Sequence, residues 1–244
     1  MDFFKFKRTK HIFDAGGNGV TRDDLVMTKK EAENFLKSST FVIEEKVDGA
    51  NIGLSMDENF TIRAQNRSHY VNSSTHKQFS TLDAWINEHS EDLYKILSPP
   101  GKFILFGEWL FAKHSIHYTR LPSLFLAFDI FDVQRKEYLD VGSRDDILNK
   151  TSIQTVPKIA EHENNLTRNR VMELLNSQSQ FYDGFVEGLV FRKIQIEQSK
   201  PSALVVKDNF FGDRGKVVRP DFLQQIEEQW TRQKFVKNIL TSYY

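Results

Sequence analysis

Residues 41–56 read FVIEEKVDGANIGLSM, an apolar strand-like run that ends in Glu44, Glu45 and Lys46 ahead of Asp48-Gly49. After Gly49 the apolar side chains fall on Ala50, Ile52, Leu54 and Met56, the period-two pattern of a strand buried on one face. Glycine enters positive φ cheaply and aspartate tolerates turn geometry, so Asp-Gly suits a tight turn. A hairpin has no need of two acids and a lysine before it. Lys46, at a strand end, is a candidate nucleophile. A neutral lysine amine attacks phosphorus or carbonyl carbon, but a pKa of about 10.4 keeps it protonated near neutrality unless neighbouring cations depress it.

Four further stretches carry more than packing requires. ILFGEWL sets Glu108 after a buried strand, with Gly107 permitting close backbone approach. LFLAFDIFD puts Phe128 and Asp129 inside an apolar strand, where an aspartate is costly unless paired. FVEGLVFR carries Glu187 among apolar residues, and AQNRSHYV ends a strand near Arg67. Taken singly, a strand-end glutamate is more often a surface or ion-pair residue. Together, glutamates at strand ends suit a metal held through waters or ribose hydroxyls, and Phe128 offers a flat face to a purine.

The 244 residues hold no cysteine, which removes disulfides, thiolate nucleophiles and Cys-based zinc sites and fits an intracellular, cytoplasmic or nuclear location. The start, MDFFKFKRTKHIF, is too charged for a signal-peptide core, and no run of about 18 apolar residues exists to span a membrane. A soluble protein without a membrane partner is expected. Lys plus Arg and Asp plus Glu each total 33, so any nucleic-acid contact must be local. Two places could supply it: Lys5, Lys7, Arg8, Lys10 and His11, and Arg214, Lys216 and Arg219. Solvated surface charge is the default reading of both.

The elements that position these residues read as strands over 41–46, 50–56, 60–64, 102–108, 124–132, 184–192, 203–207 and 215–219. A helix is expected over 81–97, with Ser80 and Asp83 as a capping box and SPPG as its stop, and others over 143–150 and 166–178. A terminal helix after Pro220 would carry Phe222, Ile226 and Trp230 in register. Antiparallel strands interrupted by helices indicate an α+β fold. No Gly/Ser/Pro linker divides the chain, so one domain is expected over 1–244, with an N-terminal extension (1–40) and a C-terminal helix (220–244).

The EKVDG segment resembles the K-x-D-G motif of covalent nucleotidyltransferases, the ATP-dependent DNA and RNA ligases and the mRNA capping guanylyltransferases. Arg67, FGEW, FDIFD and EGLVFR follow in that family's order, spanning 46 to 192 and, with a final basic strand, reaching 219. The resemblance implies a core of mainly antiparallel sheets with flanking helices and a lysine–AMP phosphoramidate at Lys46. It implies that Asp48 supports lysine and nucleotide, Glu45 joins the ATP contacts, and Arg67 serves the ribose and later the RNA 5′-phosphate, with Arg219. Glu108 would hold the ribose and share in the metal, Phe128 would stack on the base, and Glu187 would coordinate Mg²⁺ or Mn²⁺. The final-motif lysine is Lys207 in ALVVKDNF or, preferred, Lys216 in DRGKVVRPDF, with 203–207 read as the return strand of a hairpin insertion around QIEQSKPS.

Only 25 residues follow Arg219, whereas an OB domain needs on the order of 80 to 100. No OB domain is expected, and the chain resembles the compact RNA-ligase branch, acting on RNA ends or nicked duplex as a monomer, with a helper protein conceivable in place of the missing domain. The alternatives are a DNA nick ligase, a GTP-using capping enzyme, or a non-catalytic module binding nucleotide or RNA ends.

Overall fold

The computed structural model describes residues 3–16, 20, 24–37, 39–194, 212–220, 222 and 235–241. In chain order these form helix α1 (Lys29–Lys37), strands β1 (Thr40–Lys46), β2 (Ala50–Met56), β3 (Ile62–Gln65) and β4 (Tyr70–Val71), and helices α2 (Leu82–Glu88) and α3 (Ser90–Leu97). Strands β5 (Phe103–Trp109), β6 (Phe125–Asp132) and β7 (Glu137–Tyr138) follow, then helix α4 (Val141–Leu148), strand β8 (Lys158–Asn164), helix α5 (Arg168–Leu175) and strands β9 (Gly188–Ile194) and β10 (Arg214–Val218).

β1 and β2 do not pair with each other. β1 lies in a sheet ordered β10-β9-β1-β8, and β2 in a second sheet ordered β4-β3-β2-β5-β6-β7; pairing within both is antiparallel. The Asp48-Gly49 turn therefore carries the chain from one sheet to the other instead of closing a hairpin. Gly49 is required there by close approach, because a Cβ would lie 2.5 Å from the Trp109 carbonyl oxygen. Gly107 is equally constrained, since a Cβ would meet the Phe125 ring at 2.3 Å.

Strand alternation sorts the side chains of β1. Phe41 and Ile43 join Leu189, Phe191 and Val217 in a core roofed by Phe35 and Leu36 of α1 and by Val171 and Leu175 of α5. Glu44 and Lys46 point the other way. In the second sheet, Ile52, Leu54, Leu105 and Ile130 pack beneath Trp85 and Ile86 of α2 and Leu93 and Leu97 of α3. Helices thus cover one face of each sheet, and the remaining faces enclose a cavity between them.

Several elements depart from expectation. The helix over 81–97 is two helices, broken at His89, whose ring stacks on Trp85 at 4.2 Å and whose amide closes α2 onto the Trp85 carbonyl. No capping box forms: Thr81 is the N-cap without a side-chain bond, and Asp83 instead exchanges hydrogen bonds with Ser73. α4 starts earlier than 143 because Asp140 caps it, accepting from the Ser143 amide at 3.0 Å. The strand placed at 184–192 begins at Gly188. α1 and β8 had no counterpart in the sequence reading. Of the helix expected over 220–244, Pro220 and Phe222 are helical, but 235–241 run extended against the loop joining β5 to β6. The strand expected at 203–207 lies outside the described residues, as do Ile226 and Trp230.

Candidate functional site

The cavity between the sheets, ≈ 530 Å³, is lined by Lys46 from β1, Arg67 beyond β3, Glu108 from β5, Phe128 from β6 and Lys216 from β10. These positions are brought together from five separate parts of the chain. Glu187 closes the wall behind Lys46, its Oε1 accepting from Lys46 Nζ at 2.5 Å.

Carboxylates outweigh cations around the lysine. Burial alone would lower the Lys46 pKa, but Glu187, Glu108 and Asp48 outweigh it and raise the pKa above the ordinary value. The expected depression by neighbouring cations is therefore not built into the protein itself. Burial pushes the Glu187 carboxyl up to about 7 and that of Glu108 up to about 8. Glu108 Oε1 accepts from the Gly49 amide at 3.1 Å, tying β5 to the turn after the lysine. Glu187 Oε2 is buried without a hydrogen-bond partner.

Asp48 serves the turn. Its Oδ2 accepts from the Ser115 and Ile116 amides at 2.7 and 2.9 Å, and its own amide donates to Tyr118 Oη at 2.8 Å. The Glu45 side chain points away from Lys46, across the sheet, where Oε1 accepts from Ser179 Oγ at 2.6 Å. Any contact of Glu45 with a cavity ligand is thus through its main chain.

Lys216 sits opposite Val190 on the cavity face. Burial, then Lys46, lowers its pKa to about 8, and Asp24 Oδ1 lies 3.8 Å from its Nζ. His11, bridged to Lys216 through the backbone, is buried beside it with its pKa lowered to about 4 by burial and by Lys216. Of Arg214, Lys216 and Arg219, the first two line the cavity and the third does not. Arg214 Nη1 bonds Asp129 Oδ2 at 2.7 Å, and the Arg219 guanidinium lies over the Phe185 ring at 4.6 Å, off the cavity lining. Lys207 lies outside the described residues.

Phe128 owes its aim to a bulge. Pairing passes from Phe106↔Asp129 to Gly107↔Ala127, leaving Phe128 as the extra residue, so that it and Asp129 both turn to the cavity. A buried charge network holds this bulge. Arg192 donates to Glu44 Oε2 at 2.5 Å, to Asp129 Oδ1 at 2.8 Å and to the Phe128 carbonyl at 3.0 Å. Arg144 from α4 lies 2.7 Å from Glu44 Oε1 and donates to the same carbonyl at 2.7 Å. Burial would raise the Glu44 pKa, but the two guanidinium groups hold it at about 2.

The sequence profile described as RNA ligase matches residues 39–207, more than half of the chain. The chain belongs to the RNA ligase family. Its structure is similar to Naegleria gruberi RNA ligase in a mutant apo form, at 18% identity and a TM-score of 0.59 over 91% of this chain and 57% of that one. It is likewise similar to Naegleria gruberi RNA ligase with AMP and Mn (16%, 0.59, 93% and 59%) and with PPi (16%, 0.59, 94% and 64%). These likenesses show a shared fold, and this RNA ligase family member spans less than two thirds of the length of the structures it matches. No curated protein matched.

Of the network in this RNA ligase family member, Glu44 and Asp129 stood out in the sequence, whereas Arg192 and Arg144 were missed. Asp129 carried a signal, as an acid in an apolar strand. Arg192 closes the FVEGLVFR stretch and could have been proposed as its partner. Arg144, in a helix more than 90 residues from Glu44, carried none.

Proposed function

We propose that the chain is an ATP-dependent RNA ligase core that joins 5′-phosphate and 3′-hydroxyl ends through a lysine–AMP intermediate. The observation that carries this reading is Lys46 Nζ held at the cavity by Glu187, with Glu108 and Lys216 on the surrounding walls. In the first step the Lys46 amine, having lost a proton, attacks the α-phosphorus of ATP; an N–P bond forms, the bond from the α-phosphorus to the bridging oxygen breaks, and pyrophosphate leaves. Glu187 Oε1, already accepting the Lys46 hydrogen bond, is the nearest acceptor for that proton. A 5′-phosphate oxygen of RNA then displaces Lys46 from the AMP phosphorus, and the 3′-hydroxyl displaces AMP.

The carboxylates fit a hard divalent cation. Glu187 Oε2 lacks a partner, and burial raises Glu108 to about 8, so the ionised carboxylates lack compensation that a bound cation would supply. Among the described residues no group of three or more His, Asp or Glu forms a ready cage. Mg²⁺ or Mn²⁺ would thus take these two glutamates with water and phosphate oxygens, and its charge would favour the neutral lysine and offset the triphosphate. Lys216 would face the α-phosphate, Phe128 the adenine, and Arg67, exposed at the rim, the ribose and then the 5′-phosphate strand.

The test is incubation of the folded protein with α-labelled ATP or GTP, followed by denaturing electrophoresis and intact mass. Label from ATP and a mass gain of one AMP are expected, abolished in Lys46→Ala and Lys46→Arg. Retention of label by either variant would move the nucleophile elsewhere. Labelling from GTP alone would favour the capping alternative. Joining of a 5′-phosphorylated RNA then tests the acceptor against DNA.

A further inference from the structure

The turn that follows Lys46 is anchored in the loop between β5 and β6, and that loop is in turn held by the extended segment 235–241. Backbone hydrogen bonds dock the segment: Lys113 donates to the Val236 carbonyl, Ile239 to that of Tyr118, and Leu121 to that of Ile239. Within 235–241 only Asn238 is buried, while Val236, Ile239 and Leu240 are exposed. Apart from Phe235, half-buried with its ring 5.8 Å from that of Phe111, apolar burial does little to hold this strap.

Asn238 uses both ends of its amide. Nδ2 donates to the carbonyls of Leu110 at 2.8 Å and Ala112 at 3.2 Å, and Oδ1 accepts from the Tyr118 amide at 2.9 Å. Its main-chain amide donates to the Phe111 carbonyl at 3.0 Å. Tyr118, fully buried and packed edge-on against Phe181 and Tyr182, presents Oη to the Asp48 amide. The same loop supplies the Ser115 and Ile116 amides that grip the Asp48 carboxylate. A continuous set of bonds thus runs from Asn238 through Tyr118 to Asp48, two residues from Lys46.

We propose that Asn238 is a positioning residue that holds the Lys46–Gly49 turn in register through Tyr118 and the 110–121 loop. Removing its amide leaves the Leu110 and Ala112 carbonyls and the Tyr118 amide without their buried partners, and the loop no longer has one defined position. Misplacement of a nucleophile by about 1 Å can lower a rate on the order of 100-fold without abolishing ligand binding.

The test uses full-length Asn238→Ala, Tyr118→Phe, the double variant, and Ile239→Ser as a control on an exposed strap residue. Amide hydrogen exchange is followed in peptides covering 46–50 and 110–121, together with single-turnover formation of the lysine adduct at saturating ATP and equilibrium ATP binding. The kinetic arm rests on the ligase reading above; the exchange arm does not. Faster exchange over both peptides is expected in Asn238→Ala, and over 46–50 in Tyr118→Phe. With both, adduct formation should slow about 10-fold or more with ATP affinity changed less than about threefold. The double variant should be no more than about twofold slower than the slower single one, because the two residues act in series. Ile239→Ser should match the wild type.

Unchanged exchange at 46–50 in a folded Asn238→Ala protein would overturn the proposal, as would independent multiplication of the two rate losses. Should Asn238→Ala fail to fold, Tyr118→Phe with wild-type exchange at 46–50 overturns it equally. A wild type that forms no adduct would sink the ligase reading instead, leaving the exchange result to decide the role of Asn238.

Discussion

Arg192 Nη2 donates to the main-chain carbonyl of Phe128 at 3.0 Å, joining the β9 strand of one sheet to the bulge of the other. The same guanidinium bonds Glu44 and Asp129, so it is the shared partner of two buried acids. Breaking a buried charge set by removing one member is far more costly than its net worth, because the remaining charges lose compensation. Arg192→Met should destabilise the protein by about 3–5 kcal/mol, read by urea unfolding. A loss under 1 kcal/mol would mean that Arg144 and Arg214 suffice for both acids.

Phe128 is half-buried, with its ring edge-on to Phe6 at 5.4 Å. If it also stacks on adenine, Phe128→Leu should weaken ATP binding by roughly 1–3 kcal/mol. A lower melting temperature with unaltered ATP affinity would assign it to the core alone.

Glu187→Gln keeps the shape behind Lys46 and removes the charge. Adduct formation should fall at least about tenfold, the scale of one lost transition-state contact, and the magnesium requirement should rise. Near-normal adduct formation across a magnesium titration, in a folded variant, would reduce Glu187 to a structural residue.

Glu45 gives a pH dependence of known sign. Burial raises its folded pKa to about 7, so ionising it costs the folded state more than the unfolded one. The penalty is absent below the unfolded value near pH 4.5, grows as pH rises, and is complete above about 7. Glu45→Gln should therefore be more stable at pH 8, by up to roughly 3 kcal/mol, and nearly unchanged at pH 4.5. Equal melting temperatures for the two proteins at pH 8 would contradict this. Adduct formation should persist, since the carboxyl points to Ser179 and away from the cavity.

Alanine at Lys216 and at Lys207 should give unequal losses in single-turnover adduct formation, large at 216 and small at 207. The profile match ends at residue 207, while the cavity wall carries Lys216, so the two lysines are worth separating directly. A reversed ranking with both variants folded would shift the final motif and remove the role given to Arg219.

The strand positions of Lys46, Glu108 and Phe128 were legible because short apolar runs are interrupted by charged or exposed-face side chains that packing does not need. The α+β class followed from antiparallel-looking strands interrupted by helical patterns. β8 was not legible: KIAEHEN has no period-two pattern because it is an edge strand with much of its surface in solvent. α1 buries only Ala32, Phe35 and Leu36, too narrow a stripe to stand out among its lysines and glutamates. The link between Glu44, Arg144 and Arg192 was hidden by distance along the chain, and the anchoring of Asp48 by Tyr118 depends on a loop whose sequence has no periodicity. The break at His89 reflects ring stacking on Trp85, a local contact that helical spacing does not encode.

β1 carries core residues on one side and Lys46 on the other, and it is paired along both edges, to β8 and β9. A single-residue deletion within 40–46 would rotate every later side chain of the strand by half a turn, sending the lysine toward Phe35 and Glu45 into the cavity. Such a chain would lose the cavity placement of Lys46 and its hydrophobic packing in one event. In a library of length variants, survivors should be depleted across 40–46 and retained at the exposed 57–61 turn, so that tolerance to insertion and deletion alone would trace the strand that bears Lys46.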